Sequence, residues 1–435
     1  MLYHGLILNA RPVTFKEALF NGMAIDGSLF VPERIPVSNF SVVEKEREFT
    51  LHTLGIDVAS QFIDDIPLYK FLDIVRNAWN FPIPLRQLDD DLYLLELFHG
   101  PTLAFKDVGA RFMAGVMSYY LERESREISL VVATSGDTGS AVASGFYNSP
   151  RITVYVLYPS GKISPLQEKQ ITTLGGNIRA IEVEGTFDDC QALVKELFRD
   201  TGLLSKHHVT TANSINIARL IPQIVYYFWA TAQLSRLTNI SENPPIITVP
   251  SGNFGNLTAA LYAKFMGNPT RKFIAATNVN DVVPKYFLSG MYSPQPSVQT
   301  LSNAMDVGSP SNFARIRKLY GGDFMTMVND IEALSVSDDE TLKEMQQTYE
   351  RYQYIADPHT AVGLAATRKL REKKSGLSPV IVAATAHPAK FPETIKRALG
   401  IDIPLPAQLA EAFRRTKNAV KIGKSYSQLR DIFAG

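Results

Sequence analysis

Five short apolar runs in this chain each end in small hydroxyl, amide or glycine residues, and that pattern admits very few architectures. Ile128–Ala133 runs into Thr134-Ser135-Gly136, and Ile152–Tyr158 into Pro159-Ser160-Gly161. Ile246–Val249 runs into Pro250-Ser251-Gly252, Phe273–Ala276 into Thr277-Asn278, and Val380–Ala384 into Thr385. The runs are uniformly apolar rather than alternating, as buried parallel strands are. Helix-like stretches separate them, so the reading is α/β, with parallel sheets flanked by helices. In open parallel sheets ligands bind at the carboxyl ends of the strands, where these small residues fall.

The 435 residues are enough for two or three domains and a large core. Capping-box spacing at Thr14 and Glu17 opens an N-terminal, mostly helical region, assigned to 1–90; Ser337 and Glu340 repeat the spacing later. A smaller α/β domain is expected over 91–220 and a larger one over 221–435. With 44 basic and 43 acidic side chains, there is no basic footprint for nucleic acid. Cys190 is the only cysteine, which excludes an internal disulfide and cysteine-pair zinc sites and suits a reducing compartment. The seven histidines show no HExxH spacing, so no metal is expected. No apolar run reaches about 18 residues, and MLYHGLILNARPVTF has no signal-peptide pattern, so the expected setting is cytoplasmic, off the membrane.

Several segments carry groups suited to chemistry. Ser251-Gly252-Asn253-Phe254-Gly255-Asn256 lies between a strand and the helix-like Leu257–Met266. Its glycines let the backbone turn and approach a ligand, and free N–H groups at a helix start attract anions. It is neither GxGxxG nor a P-loop, so nucleotide binding is not indicated; alone, it is equally a plain turn. Thr134–Gly139 has the same context and offers groups for a carboxylate, although an N-cap with a tight turn is the simpler reading. Lys106 follows apolar and small residues in His99–Asp107. Most lysines are surface charges, but a desolvated amine is nucleophilic enough to form a Schiff base. Asn213–Arg219 brings amide, hydroxyl and guanidinium groups suited to phosphate, although alone a capped helix start with a surface Arg is the simpler reading. His387 reads as structural.

Taken in order, LELFHGPTLAFKD, ATSGDTGSA, YPSGKISPLQEKQ, TLGGNI, NSINIAR, VPSGNFGN, ATNVND, TLSNAMDVG and ATAHPAKFPE closely resemble the threonine synthase family in its longer bacterial and fungal form. The resemblance runs from about residue 90 to residue 393; DGSLFVPERIP extends it near the N-terminus, and the last forty residues share it only loosely. It implies a fold type II, tryptophan synthase β-like enzyme that uses pyridoxal 5'-phosphate. Lys106 is then the lysine that holds the cofactor, and Ser251, Gly252, Asn253, Phe254, Gly255 and Asn256 the cradle of its phosphate. Asp137 falls near the cofactor's phenolic oxygen, where relatives often carry Asn, and Thr385 at the pyridine nitrogen.

The resemblance further implies conversion of O-phospho-L-homoserine and water to L-threonine and phosphate, a β,γ-replacement, with Lys106 moving the protons. The substrate carboxylate is assigned to Ser135, Gly136, Asp137 and Thr138. Its phosphate is assigned to Asn213, Ser214, Arg219 and Asn253, with Lys162 a further candidate. A monomer or homodimer suits such an enzyme. The nearest rival is a serine or threonine dehydratase of the same cofactor family, which needs no second phosphate site. A catalytically dead binding relative is the other class.

Overall fold

The computed structural model describes residues 1–7, 11–38, 41, 49–373 and 378–434. Parts of the expected 1–90 region, at 8–10, 39–40 and 42–48, lie outside the described residues. Both capping boxes form: Thr14 and Glu17 open the helix Phe15–Asn21, and Ser337 and Glu340 open Asp338–Tyr352. The N-terminal region is helical as expected, with Phe15–Asn21, Leu51–Ala59 and Leu68–Ala78. Beside its helices it holds a three-stranded antiparallel sheet of Val13–Thr14, Leu2–Gly5 and Phe30–Pro32. That sheet is tied to the rest by the buried Arg315, whose guanidinium donates to Phe30 O at 3.0 and 2.8 Å.

Two larger sheets follow, and all five expected strands lie in them. The smaller sheet runs Val420–Ile422, Ile178–Val183, Ile152–Pro159, Ile128–Ala133, His208–Thr211, parallel throughout. The larger runs Ile331–Ser335, Lys272–Thr277, Ile246–Pro250, Val380–Ala384, Leu92–Glu96, Leu85–Asp89; only the last pair is antiparallel.

Sheet membership cuts across the expected domain limits. Leu92–Glu96, placed by sequence in the smaller unit, pairs Leu94 with Val382 in the larger sheet. Val420–Ile422, placed in the larger unit, pairs with Ile178–Val183 in the smaller. Each of these strands finds its uncovered edge in the other unit, which linear segmentation cannot register.

The helix Ile217–Leu234 is apolar almost all round because helices pack on several of its sides: Leu51–Ala59, Lys106–Leu121 and Gly255–Phe265. Among the described residues no helix is long and apolar enough to cross a membrane. Parallel pairing aligns the carboxyl ends within each sheet, and Ala133, Thr211, Pro250 and Ala384 bring their following residues to one cavity.

Candidate active site

Lys106 is the first residue of the helix Lys106–Leu121. The turn before it is fixed by Asp107, whose carboxylate accepts from Thr102 N at 2.8 Å and Thr102 Oγ1 at 2.6 Å. Leu103 takes a left-handed φ of 58° to make that turn. The turn is also clamped to the end of Val380–Ala384: Phe105 N donates to Thr385 O at 2.9 Å, and His387 N to Leu103 O at 3.0 Å. Lys106 and Thr385 therefore line the same cavity. What exposure Lys106 keeps faces that cavity, and among the described residues its amine makes no hydrogen bond. Burial lowers the amine to about 8; Asp137 opposes the shift, and Lys390 and Arg219 reinforce it.

The segment Ser251–Asn256 follows the strand Ile246–Pro250 and opens the helix Gly255–Phe265, two residues earlier than expected. Gly252 leaves no room for a side chain, since a Cβ there would lie 2.7 Å from Met305 Cα. Phe254 is held at φ 62°, and the helix start carries no side-chain cap. Strained backbone of this kind concentrates at binding sites. Asn256 Oδ1 accepts from Tyr226 and Tyr227 hydroxyls at 2.5 and 2.6 Å, which leaves its amide nitrogen as the free end. That nitrogen is buried without a partner. An unpaired buried donor beside uncapped helix N–H groups is the donor set an anion requires.

Across the cavity, Thr134 Oγ1 accepts from Gly136 N at 2.9 Å and Gly139 N at 2.8 Å, shaping the start of Asp137–Gly145. Gly136 has φ 134°, and a Cβ there would sit 2.4 Å from the Gln167 amide. Ser135, Asp137 and Thr138 line the cavity, while Gly136 supplies the turn beneath them. Asn213, Ser214 and Arg219 line it too. The Asn213 amide, however, is engaged with the backbone of Ala133, accepting at 3.2 Å and donating at 2.8 Å. Ser214 Oγ accepts from Asn253 Nδ2 at 2.6 Å, joining the two loops. Arg219 is buried, donates to Ala212 O, and keeps Nε without a partner. Lys162 is exposed and does not line the cavity.

Sequence reasoning missed three side chains. Lys390 is wholly buried, with Nζ 2.5 Å from Asp137 Oδ1 and 3.0 Å from Thr102 O. Gln167 Nε2 donates to the same Asp137 oxygen at 2.9 Å. Burial alone would raise the Asp137 carboxyl, but the Lys390 and Lys106 charges outweigh it and hold the group well below the usual carboxylate range. His359 lines the cavity; its Nδ1 pairs with Asp357 at 2.8 Å, and Nε2 accepts from Ala304 N at 3.2 Å. That acceptor role places the ring proton on Nδ1. The signal for Lys390 was available: like Lys106, it sits among apolar and small residues, in AHPAKFP.

The parallel sheets, the desolvated amine, and the uncapped helix start beside it define a pyridoxal-phosphate-dependent enzyme of fold type II. The family model described as pyridoxal-phosphate dependent enzyme matches residues 78–385. Models for the threonine synthase N terminus and the threonine synthase C-terminal region match 8–79 and 360–432. The chain belongs to the threonine synthase family. It is 43% identical over 422 residues to threonine synthase of Haemophilus influenzae, covering 96% of each. The crystal structure of threonine synthase from Escherichia coli superposes with a TM-score of 0.92 at 40% identity, covering 100% of this chain and 99% of that one. A PLP-bound threonine synthase from Brucella melitensis gives 0.90 at 34%, covering 100% and 98%. The enzyme is accordingly a pyridoxal-phosphate-dependent lyase of amino-acid biosynthesis.

Proposed function

We propose that this chain converts O-phospho-L-homoserine and water to L-threonine and phosphate, with Lys106 as the cofactor lysine. The observation that carries the reading is a further set of groups in the cavity that holds the cofactor cradle: buried Arg219 with an unpartnered Nε, and Ser214 joined to Asn253. A dehydratase acting on a substrate without phosphate has no use for it.

When bound, pyridoxal phosphate supplies an aldehyde for amines and a ring that spreads negative charge. The donors at Ser251–Asn256, Asn256 Nδ2 among them, hold its phosphate. The Thr385 hydroxyl gives its ring a neutral partner. Ser135, Thr138 and the N–H groups that open Asp137–Gly145 take the substrate carboxylate, and Arg219, Ser214 and Asn253 its phosphate. Gripping the substrate at both ends fixes the carbons between them near Lys106 Nζ. An amine lowered to about 8 both accepts and returns protons near neutral pH, so it serves the successive transfers at those carbons. Asn213 orients Ala133 rather than touching phosphate, and Lys162 stands outside the proposed set. The single buried Cys190 supports a reducing, cytoplasmic setting.

The test is paired assays on the loaded enzyme: phosphate release from O-phospho-L-homoserine and ammonia release from threonine. Phosphate release with threonine formed supports the reading; ammonia release alone makes the chain a dehydratase. Lys106→Ala should lose the cofactor's visible absorbance and reduce turnover by about 10²–10⁴-fold or more. Retention of both would remove Lys106 from its role.

A further inference from the structure

Asp137 presents an electrostatic difficulty that Lys390 answers. A carboxylate in a closed cavity beside the reactive amine would favour the protonated nitrogen. Lys390 comes from the short turn Pro388–Lys390, which begins three residues after Thr385. His387 Nδ1 caps that turn by accepting from Ala389 N at 3.1 Å. The Lys390 ammonium reaches Asp137 and, through Thr102 O, the turn that carries Lys106. A buried ion pair is a poor way to stabilise a fold, because apolar residues of equal volume do as well or better. Its place between the two loops on either side of the reactive amine points to electrostatics.

We propose that Lys390 is a positioning residue that acts through Asp137, so that Lys106 faces a neutral Asp137–Lys390 pair rather than a lone carboxylate. This rests on Lys106 being the cofactor lysine. The groups bearing on Lys106 are Asp137 from its helix start, Lys390 from the turn, and Arg219 from Ile217–Leu234. The His359 imidazole from Pro358–Lys373 also lies near Asp137, and Asp107 on the Lys106 helix bears on Arg219 and Lys390. Removing the Lys390 charge leaves Asp137 unbalanced and favours a proton on the Lys106 nitrogen. Removing the Asp137 charge leaves an extra cation and does the reverse.

The test is a pH titration of the bound cofactor's visible spectrum in Lys390→Met, Asp137→Asn and the double variant. The midpoint should rise by about one unit or more in K390M and fall in D137N. In D137N/K390M it should return to within about 0.3 of the parent, because no charge is left unpaired. A merely structural Lys390 lowers stability and cofactor occupancy in K390M but leaves that variant's midpoint unmoved, and that result overturns the proposal. Should K390M fail to fold, K390Q takes its place: an unchanged or lowered midpoint overturns the idea. Failure of the underlying assignment looks different, since K106A would then keep its spectrum.

Discussion

At the scale of single residues, the proposed chemistry turns on a lysine whose burial opposes its charge. An ordinary lysine amine sits at 10.5, and Lys106 is lowered to about 8, chiefly by burial. The folded protein therefore releases this proton before the unfolded chain does. Below about 8 both forms are protonated; between about 8 and 10.5 the unfolded chain holds the extra proton, so stability rises with pH across that window. In cofactor-stripped protein, condensation of Lys106 with a small aldehyde should be half-maximal near pH 8. A midpoint near 10.5, read by mass spectrometry of reduced adducts, would contradict the burial argument. Lys106 and the glycine-rich segment were legible because neighbours in sequence define their environments. The contacts of Lys390 and His359 were not, although the apolar neighbours of Lys390 were visible in AHPAKFP. The roles of the two residues depend on Asp137, Thr102, Asp357 and Ala304, and most of these contacts bring together segments distant along the chain.

At the scale of elements, the turn between Ile246–Pro250 and Gly255–Phe265 is a packed joint. Met305 belongs to the segment that His359 secures, and its backbone lies against Gly252. Gly252→Ala forces a methyl into that backbone, at about 1–3 kcal/mol of overpacking. Cofactor affinity should fall by about tenfold or more by absorbance titration, while far-UV dichroism stays near the parent's; unaltered affinity would mean the close approach is dispensable. Capping residues and apolar runs made many of the elements readable, since both are local patterns. Leu92–Glu96 and Ile331–Ser335 were not read as strands: LYLLE and IEALS contain good helix formers, and pairing within the sheet overrides that preference.

At the scale of the whole molecule, neither large sheet is built from one continuous stretch of chain. The last helix, Tyr426–Ala434, returns to the smaller sheet and lays Leu429 and Phe433 over Cys190, Leu193 and Val194. Phe433 stacks on Tyr155 with ring centroids 4.2 Å apart. Phe433→Ala should cost about 3–5 kcal/mol, seen as a lower melting temperature. It should also expose Cys190, whose thiol burial pushes up to about 12, to thiol reagents that the parent resists. Unchanged melting and labelling would show that the C-terminal helix is not part of this core. The pairing of Leu92–Glu96 with Val380–Ala384 has a consequence for biosynthesis. On the ribosome the earlier strand emerges long before its partner exists, with an apolar edge that invites pairing with other chains. The nascent protein must keep that edge sheltered until Val380–Ala384 has been made, so the proposed cofactor lysine that follows it acquires its final surroundings only then.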